Sequence, residues 1–246
     1  MSPSIDGAAI RGILLDIEGT TTPISFVHQT LFPFARARMR EFLLQHHADA
    51  SVCEDIELLR SEFSQDSNEN SPWNDDTTIA HVEFAANYAL RLMDQDRKST
   101  ALKSLQGKIW EEGYRNKKLR GEVYADVPPA LARWRKQGRK VAIFSSGSIL
   151  AQKLLFANST AGDLTHCLHS YFDTTTGPKQ SETSYRRIAE LLGLAPEELL
   201  FLSDSIAELD AARRAGLHIG LSIREEAAPL ARTDYAIIRS FEEVFP

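Results

Sequence analysis

Two carboxylates follow a short apolar run near the start of the chain. Residues 13–22 read ILLDIEGTTT, so the run leads into Asp16 and Glu18, with a glycine and three threonines behind them. Short continuous apolar runs are typical of strands buried on both faces, and open α/β sheets bind ligands just beyond the carboxyl ends of their strands. Carboxylate oxygens at such a point are suitable ligands for Mg²⁺. Asp16 and Glu18 are therefore candidate site residues.

Polar residues also follow later apolar segments. KVAIFSSGS places Ser145 and Ser146 at the end of a predicted strand, TTTGPKQS places Lys179 in a loop with Pro and Gly, and LLFLSDSIAELD places Asp204 after another strand. Parallel strands end at one edge of a sheet, so we expect Asp16, Ser145 and Asp204 to converge there, and the loop to bring in Lys179. Two carboxylates, a lysine and hydroxyl donors suit a hydrated Mg²⁺ that shares a substrate phosphate, whose charge the lysine offsets.

Each of these residues also has an ordinary structural interpretation when it is taken alone. Asp16 and Asp204 are suited to capping a following helix, because a carboxylate there accepts hydrogen bonds from backbone N–H groups. Ser145 and Ser146 lie in SSGS, a common turn composition, and Lys179 would be a solvated lysine. Their joint occurrence, in this order and at separate strand ends, favours the phosphate and metal site.

An alternation of helix and strand patterns fills the chain from about residue 126 onwards. Helices are predicted from DVPPALARWRKQG, SILAQKLLFANS, SETSYRRIAELLG and IAELDAARRAG, and strands from KVAIFSS, CLHSYFD, ELLFLSD, HIGLSI and YAIIRS. Such alternation predicts parallel βαβ units with right-handed crossovers. The fold class is therefore α/β, with a doubly wound parallel sheet.

A long helical region separates the first predicted strand from this alternating part. Between residues 21 and 125 the apolar residues recur at helical spacing, as in LFPFARARMREFLLQHH and HVEFAANYALRLM. The polar stretch 64–78, SQDSNENSPWNDDTT, predicts a surface loop between helices. We therefore predict an α/β core formed by residues 1–20 and 126–246, and an all-helical cap over 21–125, inserted after the first strand.

The composition narrows the class of protein further. With 246 residues, of which 43% are hydrophobic, the chain can form a core domain that carries a smaller one. The 28 Lys and Arg against 34 Asp and Glu give a net charge of −6, which argues against nucleic-acid binding through overall basicity. Any phosphate recognition must therefore be local, and no nucleic-acid partner is expected.

Several features of the sequence predict a cytoplasmic protein without a membrane partner. The first residues, MSPSIDGAAI, lack the pattern of a secretory signal, and no window reaches the roughly 18 apolar residues of a membrane helix. Cys53 and Cys167 lack metal-ligand spacing and are expected to be packed thiols in a reducing compartment. The absence of a long apolar stripe favours a monomer.

The order of these motifs resembles the haloacid-dehalogenase-like phosphohydrolases along the whole chain. In that superfamily the first motif is Asp-x-Asp-x-Thr, and here Glu18 stands where the second Asp is expected. DIEGTTTPISFV, together with FSSGSILAQKLLF and FLSDSIAELDAA, is similar to the enolase-phosphatase family of methionine salvage, in which a glutamate takes that place. The resemblance implies the same α/β core and a cap that closes over the substrate and excludes water.

The resemblance also implies roles for the two acids of the first loop. Asp16 would be the nucleophile, forming an aspartyl-phosphate, and its other carboxylate oxygen would ligate Mg²⁺. Glu18 would contribute its backbone carbonyl to the metal site, while its side chain handles the protons of the leaving group and of water.

The remaining candidates receive their roles from the same resemblance. Ser145 would hydrogen-bond the transferring phosphoryl group, with Ser146 as a second substrate contact. Lys179 would hold nucleophile and phosphate together, and Asp204 would be an acidic metal ligand. Glu208, one helical turn later, is left open between an acid that orients a metal-bound water and an acid on the helix surface.

The activity implied by the resemblance is that of a bifunctional, Mg²⁺-dependent enolase-phosphatase. It would enolise 2,3-diketo-5-methylthiopentyl-1-phosphate and hydrolyse the enol phosphate to the acireductone 1,2-dihydroxy-3-keto-5-methylthiopentene. The base for enolisation is left open between Glu18 and a group of the helical insertion. The alternatives are a capped phosphatase acting on another small phosphomonoester without enolisation, and a catalytically silent binding module.

Overall fold

The chain forms two compact units. The computed structural model describes residues 9–66, 72–97, 99–224 and 234–246. The first unit takes in Met1–Val27 and Arg120–Pro246, and the second His28–Leu119. The divisions predicted from the sequence, after residues 20 and 125, lie a few residues from these. That the second unit acts as a cap stays a prediction.

The first unit is built on a parallel sheet, which has six strands in the part of the chain that the structure describes. They are β1 (Gly12–Leu15), β2 (Lys140–Phe144), β3 (Ser170–Phe172), β4 (Leu199–Ser203), β5 (His218–Ser222) and β6 (Ile237–Ile238). Their order is β3-β2-β1-β4-β5-β6, and each neighbouring pair is parallel. The predicted doubly wound α/β fold is confirmed.

The apolar run that precedes Asp16 lies in the central strand, β1. Its four residues, GILL, are all buried, since β1 is flanked on both edges by other strands. Leu15 lies opposite Ile143 of β2 and opposite Leu202 of β4. A strand in this position exposes neither face to water, so every residue in it is apolar or glycine.

The two edge strands are shorter than their patterns predict. CLHSYFD, residues 167–173, forms a strand only over Ser170–Phe172, and YAIIRS, residues 235–240, only over Ile237–Ile238. Each pairs with one neighbour alone, β2 or β5. A strand with one ladder gains fewer hydrogen bonds, and short edges also limit pairing with other chains.

Helices follow most of the strands and also make up the second unit. Over the described residues they are α1 (Ile24–Phe26), α2 (Phe32–His46), α3 (Ala50–Ser64), α4 (Thr78–Asp94), α5 (Thr100–Arg115), α6 (Val127–Lys136), α7 (Ile149–Ala157), α8 (Glu182–Leu192) and α9 (Ile206–Ala215). A π-helical turn covers Val27–Leu31. None of these helices combines the length and the apolar character needed to cross a membrane.

Helix ends agree with the capping residues in the sequence. Ser148 caps α7 by accepting a hydrogen bond from the backbone N of Ala151 at 3.2 Å, which satisfies one of the free N–H groups of the first turn. The helix α8 ends at Leu192 and is capped by Gly193, which has a φ of +63°, a left-handed conformation that glycine adopts without strain.

The second unit contains α2 to α5. Its core includes Trp110, whose indole N–H donates to the carbonyl of Leu31 at 2.9 Å, and a largely buried ion pair joins Lys108 to Asp55. Of the loop predicted over 64–78, residues 67–71 lie outside the described residues; the helices on either side end at Ser64 and begin at Thr78.

The cysteines differ from expectation in one respect. Both are free thiols, and Cys167 is buried as predicted. The prediction of packing is wrong for Cys53, which is exposed and donates from Sγ to the carbonyl of His47 at 2.8 Å. Cys53 lies on the polar side of α3. The spacing of residues along the sequence did not distinguish it from its apolar neighbours.

Asp126, just before α6, links distant parts of the first unit. Its Oδ2 atom accepts hydrogen bonds from Arg224 Nη1 at 2.6 Å, Ser240 Oγ at 3.1 Å and the backbone N of Phe241 at 2.5 Å. Burial by itself would raise the pKa of Asp126, but these hydrogen bonds and the charge of Arg224 outweigh it and lower the pKa. Arg224 also donates from Nε to the carbonyl of Thr20 at 2.8 Å, which ties this cluster to the loop after β1.

We predict that Asp126→Asn lowers the free energy of unfolding near neutral pH by about 2 kcal/mol, because Arg224 loses its charged partner. Since folding lowers the pKa of Asp126, the carboxylate stabilises the protein above its ordinary pKa of 3.8. That stabilisation is lost as the pH falls through the lower pKa of the folded state. Urea titrations near neutral pH and at about pH 3 measure the difference.

Glu122→Gln is the matched control, since Glu122 is an exposed acid in the same connection. Its unfolding free energy should stay within about 0.5 kcal/mol of the wild type at both pH values. An Asp126→Asn deficit that is as large at low pH as at neutral pH would contradict the assignment.

Candidate active site

Three neighbouring strands end at the candidate site. Asp16 follows β1, Ser145 follows β2, and Asp204 follows β4. In the sheet order β2-β1-β4 these strands are parallel neighbours, so the three residues lie at one edge. The chain winds from β1 outwards to β3 and then crosses to β4 on the other side of β1, which makes this edge the topological switch point where α/β folds bind ligands.

The carboxylate of Asp16 is buried and bound at both oxygens. Oδ1 accepts hydrogen bonds from Lys179 Nζ at 2.7 Å and from the backbone N of Ile17 at 2.8 Å. Oδ2 accepts one from Ser203 Oγ at 2.9 Å. The helix-capping alternative does not apply to Asp16, since α1 begins only at Ile24.

Lys179 reaches Asp16 from the loop that follows β3. Its Nζ atom lies 2.7 Å from Asp16 Oδ1 and 2.7 Å from Glu208 Oε2. Burial by itself would lower the pKa of Lys179, but the negative charges of Asp16 and Glu208 outweigh it and raise the pKa. Lys179 therefore stays protonated, and the interpretation as a solvated surface lysine is wrong.

The position of Lys179 is set by packing against α8. Tyr185 Oη donates to the carbonyl of Lys179 at 2.7 Å, and Ser184 Oγ donates to the carbonyl of Pro178 at 2.7 Å. The ring of Tyr185 is fully buried and packs against Phe144 at a centroid distance of 5.5 Å. The loop that carries the ammonium is thus anchored to the hydrophobic core.

Asp204 lies close to the loop after β1. A Cβ atom built on Gly19 would lie 2.3 Å from Asp204 Oδ2, so a larger residue there would require this carboxylate to shift. Asp204 keeps an exposed face, while the protein packed around the rest of it raises its pKa to about 6. This value includes the negative charges of Asp16 and Glu18, which also raise the pKa, and the charge of Lys179, which lowers it.

Of the two alternatives left open for Glu208, the structure excludes an acid on the helix surface, and the orientation of a metal-bound water stays a prediction. The side chain of Glu208 is only 14% exposed and contacts Lys179 Nζ at 2.7 Å, so it is not an acid of the helix surface. Burial and the charge of Asp16 raise the pKa of Glu208 to about 7, while Lys179 lowers it. Its place in the first turn of α9, four residues after Asp204, was the available signal in the sequence.

Ser203 is the contact that the sequence analysis missed. It is fully buried at the end of β4, where its Oγ lies 2.9 Å from Asp16 Oδ2 and 3.3 Å from Glu208 Oε2. The motif LLFLSDSIAELD contains it next to Asp204, but strand alternation does not tell which residue at a strand end turns towards a neighbouring strand.

The loop that contains Glu18 is held by backbone and side-chain hydrogen bonds. The backbone N of Gly19 donates to the carbonyl of Thr22 at 2.9 Å, and Glu18 forms a β-bridge with Thr22. Ser222 Oγ, at the end of β5, donates to the carbonyl of Gly19 at 3.1 Å. These contacts fix the carbonyls of this turn and keep Glu18 beside the strand ends.

Ser145 and Ser146 lie on the loop after β2. Ser145 is buried, and its Oγ accepts a hydrogen bond from the backbone N of Gly147 at 3.1 Å, as expected of a turn residue. Its hydroxyl can still donate its proton to another acceptor. Ser146 is exposed beside it. Substrate contacts by these serines stay a prediction.

Comparisons with known proteins assign the chain to a family. Residues 10–216 match the family model described as haloacid dehalogenase-like hydrolase. The chain is 50% identical to an enolase-phosphatase E1 of Synechococcus elongatus, over 96% of this chain and 98% of that protein. It is 43% identical to the enolase-phosphatase E1 of Xenopus tropicalis, over 95% and 94% of the two chains. The chain belongs to the enolase-phosphatase E1 family of the haloacid dehalogenase-like hydrolases.

Solved structures agree with this membership. The UTR4 protein of Saccharomyces cerevisiae matches with a TM-score of 0.77 and 34% identity, over 96% of this chain and 100% of that one. A dehalogenase with 17% identity, a TM-score of 0.53 and 96% coverage of both chains shares the fold. The resemblance derived from the motifs is confirmed, and so is the predicted enzyme class, a phosphatase.

Haloacid dehalogenase-like phosphatases are generally metal-dependent, and the acids of this enolase-phosphatase fit a hard cation. Among the described residues no group of three or more His, Cys, Asp or Glu side chains has the arrangement of a metal site. A hydrated divalent ion does not need one, since two carboxylates and a backbone carbonyl suffice when waters complete the shell. The pKa of Asp204 is raised chiefly by burial and then by the negative charges of Asp16 and Glu18, which a bound cation would offset.

We predict that Gly19→Ala displaces Asp204 and lowers phosphatase activity about tenfold or more at a limiting divalent cation. Gly193→Ala is the matched control. Gly19 and Gly193 both have a φ of +63°, but a Cβ atom built on Gly193 meets no other atom within 4 Å. Both variants should lose about 1–2 kcal/mol of stability from the left-handed backbone.

Hydrolysis of p-nitrophenyl phosphate across a series of metal concentrations, with urea titrations alongside, separates the two effects. Only Gly19→Ala should lose activity beyond its loss of stability. Equal activity in the two alanine variants would show that the contact between Gly19 and Asp204 is not required.

Proposed function

We propose that this chain is a bifunctional, Mg²⁺-dependent enolase-phosphatase of methionine salvage. It enolises 2,3-diketo-5-methylthiopentyl-1-phosphate and then hydrolyses the enol phosphate to the acireductone 1,2-dihydroxy-3-keto-5-methylthiopentene and phosphate. The observation that carries the proposal is the contact of 2.7 Å between Lys179 Nζ and Asp16 Oδ1 at the switch point of the sheet. It is supported by 50% identity to an enolase-phosphatase E1 over nearly the whole chain.

Asp16 is the nucleophile of the phosphatase reaction. A bond forms between a carboxylate oxygen and phosphorus while the bond from phosphorus to the substrate oxygen breaks, which gives an aspartyl-phosphate. Water then attacks phosphorus and releases orthophosphate, which restores the carboxylate. The two steps replace one difficult displacement by two easier ones.

Lys179 opposes the negative charge that collects on the transferring phosphoryl group. It is suited to this because its side chain is only 10% exposed, which strengthens its electrostatic interactions. Ser145 donates its hydroxyl proton to a phosphoryl oxygen, and Ser146 beside it is a second substrate contact. Glu208 is a second carboxylate beside the ammonium, with Oε2 at 2.7 Å from Lys179 Nζ.

Asp16, Glu18 and Asp204 would hold the Mg²⁺ ion. The ligands are the carboxylates of Asp16 and Asp204 and the backbone carbonyl of Glu18; oxygen ligands of this kind favour a hard cation over zinc or copper. When bound, the ion neutralises phosphate charge and polarises the carbonyl next to the proton that enolisation removes.

The proton transfers and the cap complete the proposal. The side chain of Glu18 handles the protons of the leaving group and of the attacking water. The base that enolises the substrate is left open between Glu18 and a group of the helical unit, His28–Leu119, which acts as the cap. A monomer and a cytoplasmic location stay predictions from the sequence.

Product analysis tests the proposed activity. With the diketo phosphate and Mg²⁺, orthophosphate release should be accompanied by the absorbance of the acireductone. Release of phosphate from simple monoesters, without any acireductone from the diketo phosphate, would favour the capped phosphatase without enolisation. If no small monoester releases phosphate in a Mg²⁺-dependent reaction, the silent binding module would be favoured.

We predict that Asp16→Asn blocks phosphate release, by at least about a thousandfold, because the amide is not a nucleophile. An amide oxygen still ligates Mg²⁺, though more weakly, so at high Mg²⁺ the variant should continue to remove the proton next to the carbonyl. Enol phosphate should therefore accumulate. Enol absorbance, orthophosphate and entry of solvent deuterium are followed in parallel.

Asp173→Asn is the control for Asp16→Asn. Asp173 is a buried acid directly after β3. Its Oδ1 accepts from the backbone N and the hydroxyl of Thr175, which the single oxygen of asparagine can also accept, and only the longer contact of Oδ2 with the backbone N of Ile149, at 3.3 Å, is lost. This variant should carry out both reactions. If Asp16→Asn shows neither enol build-up nor deuterium entry at saturating Mg²⁺, enolisation depends on Asp16 and the division of roles is wrong.

We predict different defects for Asp204→Asn and Lys179→Ala. Asp204→Asn should raise the Mg²⁺ concentration for half-maximal activity about tenfold or more, because a ligand loses its charge. Lys179→Ala should lower turnover about a hundredfold even at saturating Mg²⁺, because the cation that opposes phosphoryl charge is gone. Activity measured against Mg²⁺ concentration separates them, and the same metal dependence in both variants would contradict the assignment.

A further inference from the structure

Ser203 is a buried hydroxyl whose contacts are not explained by packing alone. It is fully buried as the last residue of β4 and pairs with Leu221 of β5 in the sheet register. Its Oγ accepts a hydrogen bond from the backbone N of Ser205 at 3.1 Å. With this contact made, the hydroxyl proton is directed towards the two carboxylates beside it.

Of these two carboxylates, Asp16 is the nearer. Ser203 Oγ lies 2.9 Å from Asp16 Oδ2 and 3.3 Å from Glu208 Oε2. A serine hydroxyl has a single proton, so it makes one good donation at a time. The shorter distance assigns that donation to Asp16.

The donation from Ser203 fixes a different oxygen from the other donors. Lys179 Nζ and the backbone N of Ile17 both bind Oδ1 of Asp16, at 2.7 and 2.8 Å. Rotation of a carboxylate about its Cβ–Cγ bond is a broad, soft torsion. Donors on one oxygen leave part of that rotation free, whereas a further donor on Oδ2 fixes the plane of the group.

We propose that Ser203 is a positioning residue for Asp16, which holds the carboxylate plane in the orientation needed for in-line attack on phosphorus. The inference rests on the nucleophilic role proposed above for Asp16. Because the attacking oxygen must be placed within a fraction of an ångström, loss of this donor lowers the rate of phosphoryl transfer rather than substrate affinity. Ser203 touches neither the substrate carbonyl nor its proton in this scheme, so enolisation is unaffected.

Ser159 offers a matched control. It is also a buried serine of the first unit, and its Oγ accepts from the backbone N of Ala161 at 3.2 Å, two residues later, as Ser203 does from Ser205. Its hydroxyl proton goes to the carbonyl of Gly162 at 2.5 Å instead of to a carboxylate. Ser159→Ala therefore removes the same local motif without touching Asp16.

The experiment compares Ser203→Ala, Ser203→Thr, Ser203→Cys and Ser159→Ala with p-nitrophenyl phosphate as the substrate at saturating Mg²⁺. Single-turnover quenching measures the formation of the phosphoenzyme, and steady-state rates give kcat and KM. Ser203→Ala should form the phosphoenzyme about ten to a hundred times more slowly, with KM changed less than about threefold. Ser203→Thr should recover most of the rate, Ser203→Cys should lie between, and Ser159→Ala should match the wild type.

Thermal unfolding of each variant shows whether slow formation of the phosphoenzyme comes from misfolding or from a misplaced Asp16 carboxylate. If Ser203→Ala is poorly folded, Ser203→Cys takes its place in the comparison, because a thiol is similar in size to the hydroxyl but is a weaker hydrogen-bond donor. The proposal is overturned if a folded Ser203→Ala or Ser203→Cys forms the phosphoenzyme as fast as Ser159→Ala, or if only KM changes.

Failure of the proposed function has a different signature. A wild-type enzyme that forms no phosphoenzyme would refute the role of Asp16 itself. A wild type that hydrolyses the monoester but does not enolise the diketo phosphate would refute the substrate assignment, while the comparison of the serine variants would still decide the role of Ser203.

Discussion

The arrangement of the site depends on one buried cation, Lys179, held between two acids. Its Nζ atom lies 2.7 Å from both Asp16 and Glu208, and the three side chains are only 10%, 8% and 14% exposed. Charges this deep are stable only when they are paired, because desolvation costs several kcal/mol for each ion. Even with the lysine in place, the pKa of Asp204 rises to about 6 and that of Glu208 to about 7. Burial is the largest cause of both shifts, and the negative charge of Asp16 is the next largest.

The fold supplies the ammonium of Lys179 through its core rather than through the strand that carries Asp16. Asp16 comes from the central strand, whereas Lys179 comes from the loop after the edge strand β3. The loop is anchored by Tyr185, which donates to the carbonyl of Lys179 and packs between Phe144 and Phe201 at centroid distances of 5.5 and 5.1 Å. Close packing of this aromatic group transmits the position of α8 to the ammonium, so a change in the core would be felt at the site.

Much of the fold followed from the sequence. Continuous apolar runs marked the buried strands, and their alternation with helices after residue 126 predicted the parallel sheet, which the structure confirms. The edge strands were overestimated, because an apolar pattern records burial but not how many neighbours a strand has. The candidate site residues were selected at strand ends, and the structure brings Asp16, Ser145 and Asp204 to the same edge; their chemical roles stay predictions.

By itself, the sequence determined the class of fold, the edge of the sheet that carries the candidate site, and the family, since these depend on apolar periodicity and on the order of short motifs. The tertiary structure decided which groups touch Asp16. Ser203 and Glu208 meet its carboxylate and Lys179 because of the direction of a side chain at the end of β4 and the rotation of α9 about its axis. Such directions arise from the packing of elements far apart in the chain, so residue spacing along the sequence does not specify them.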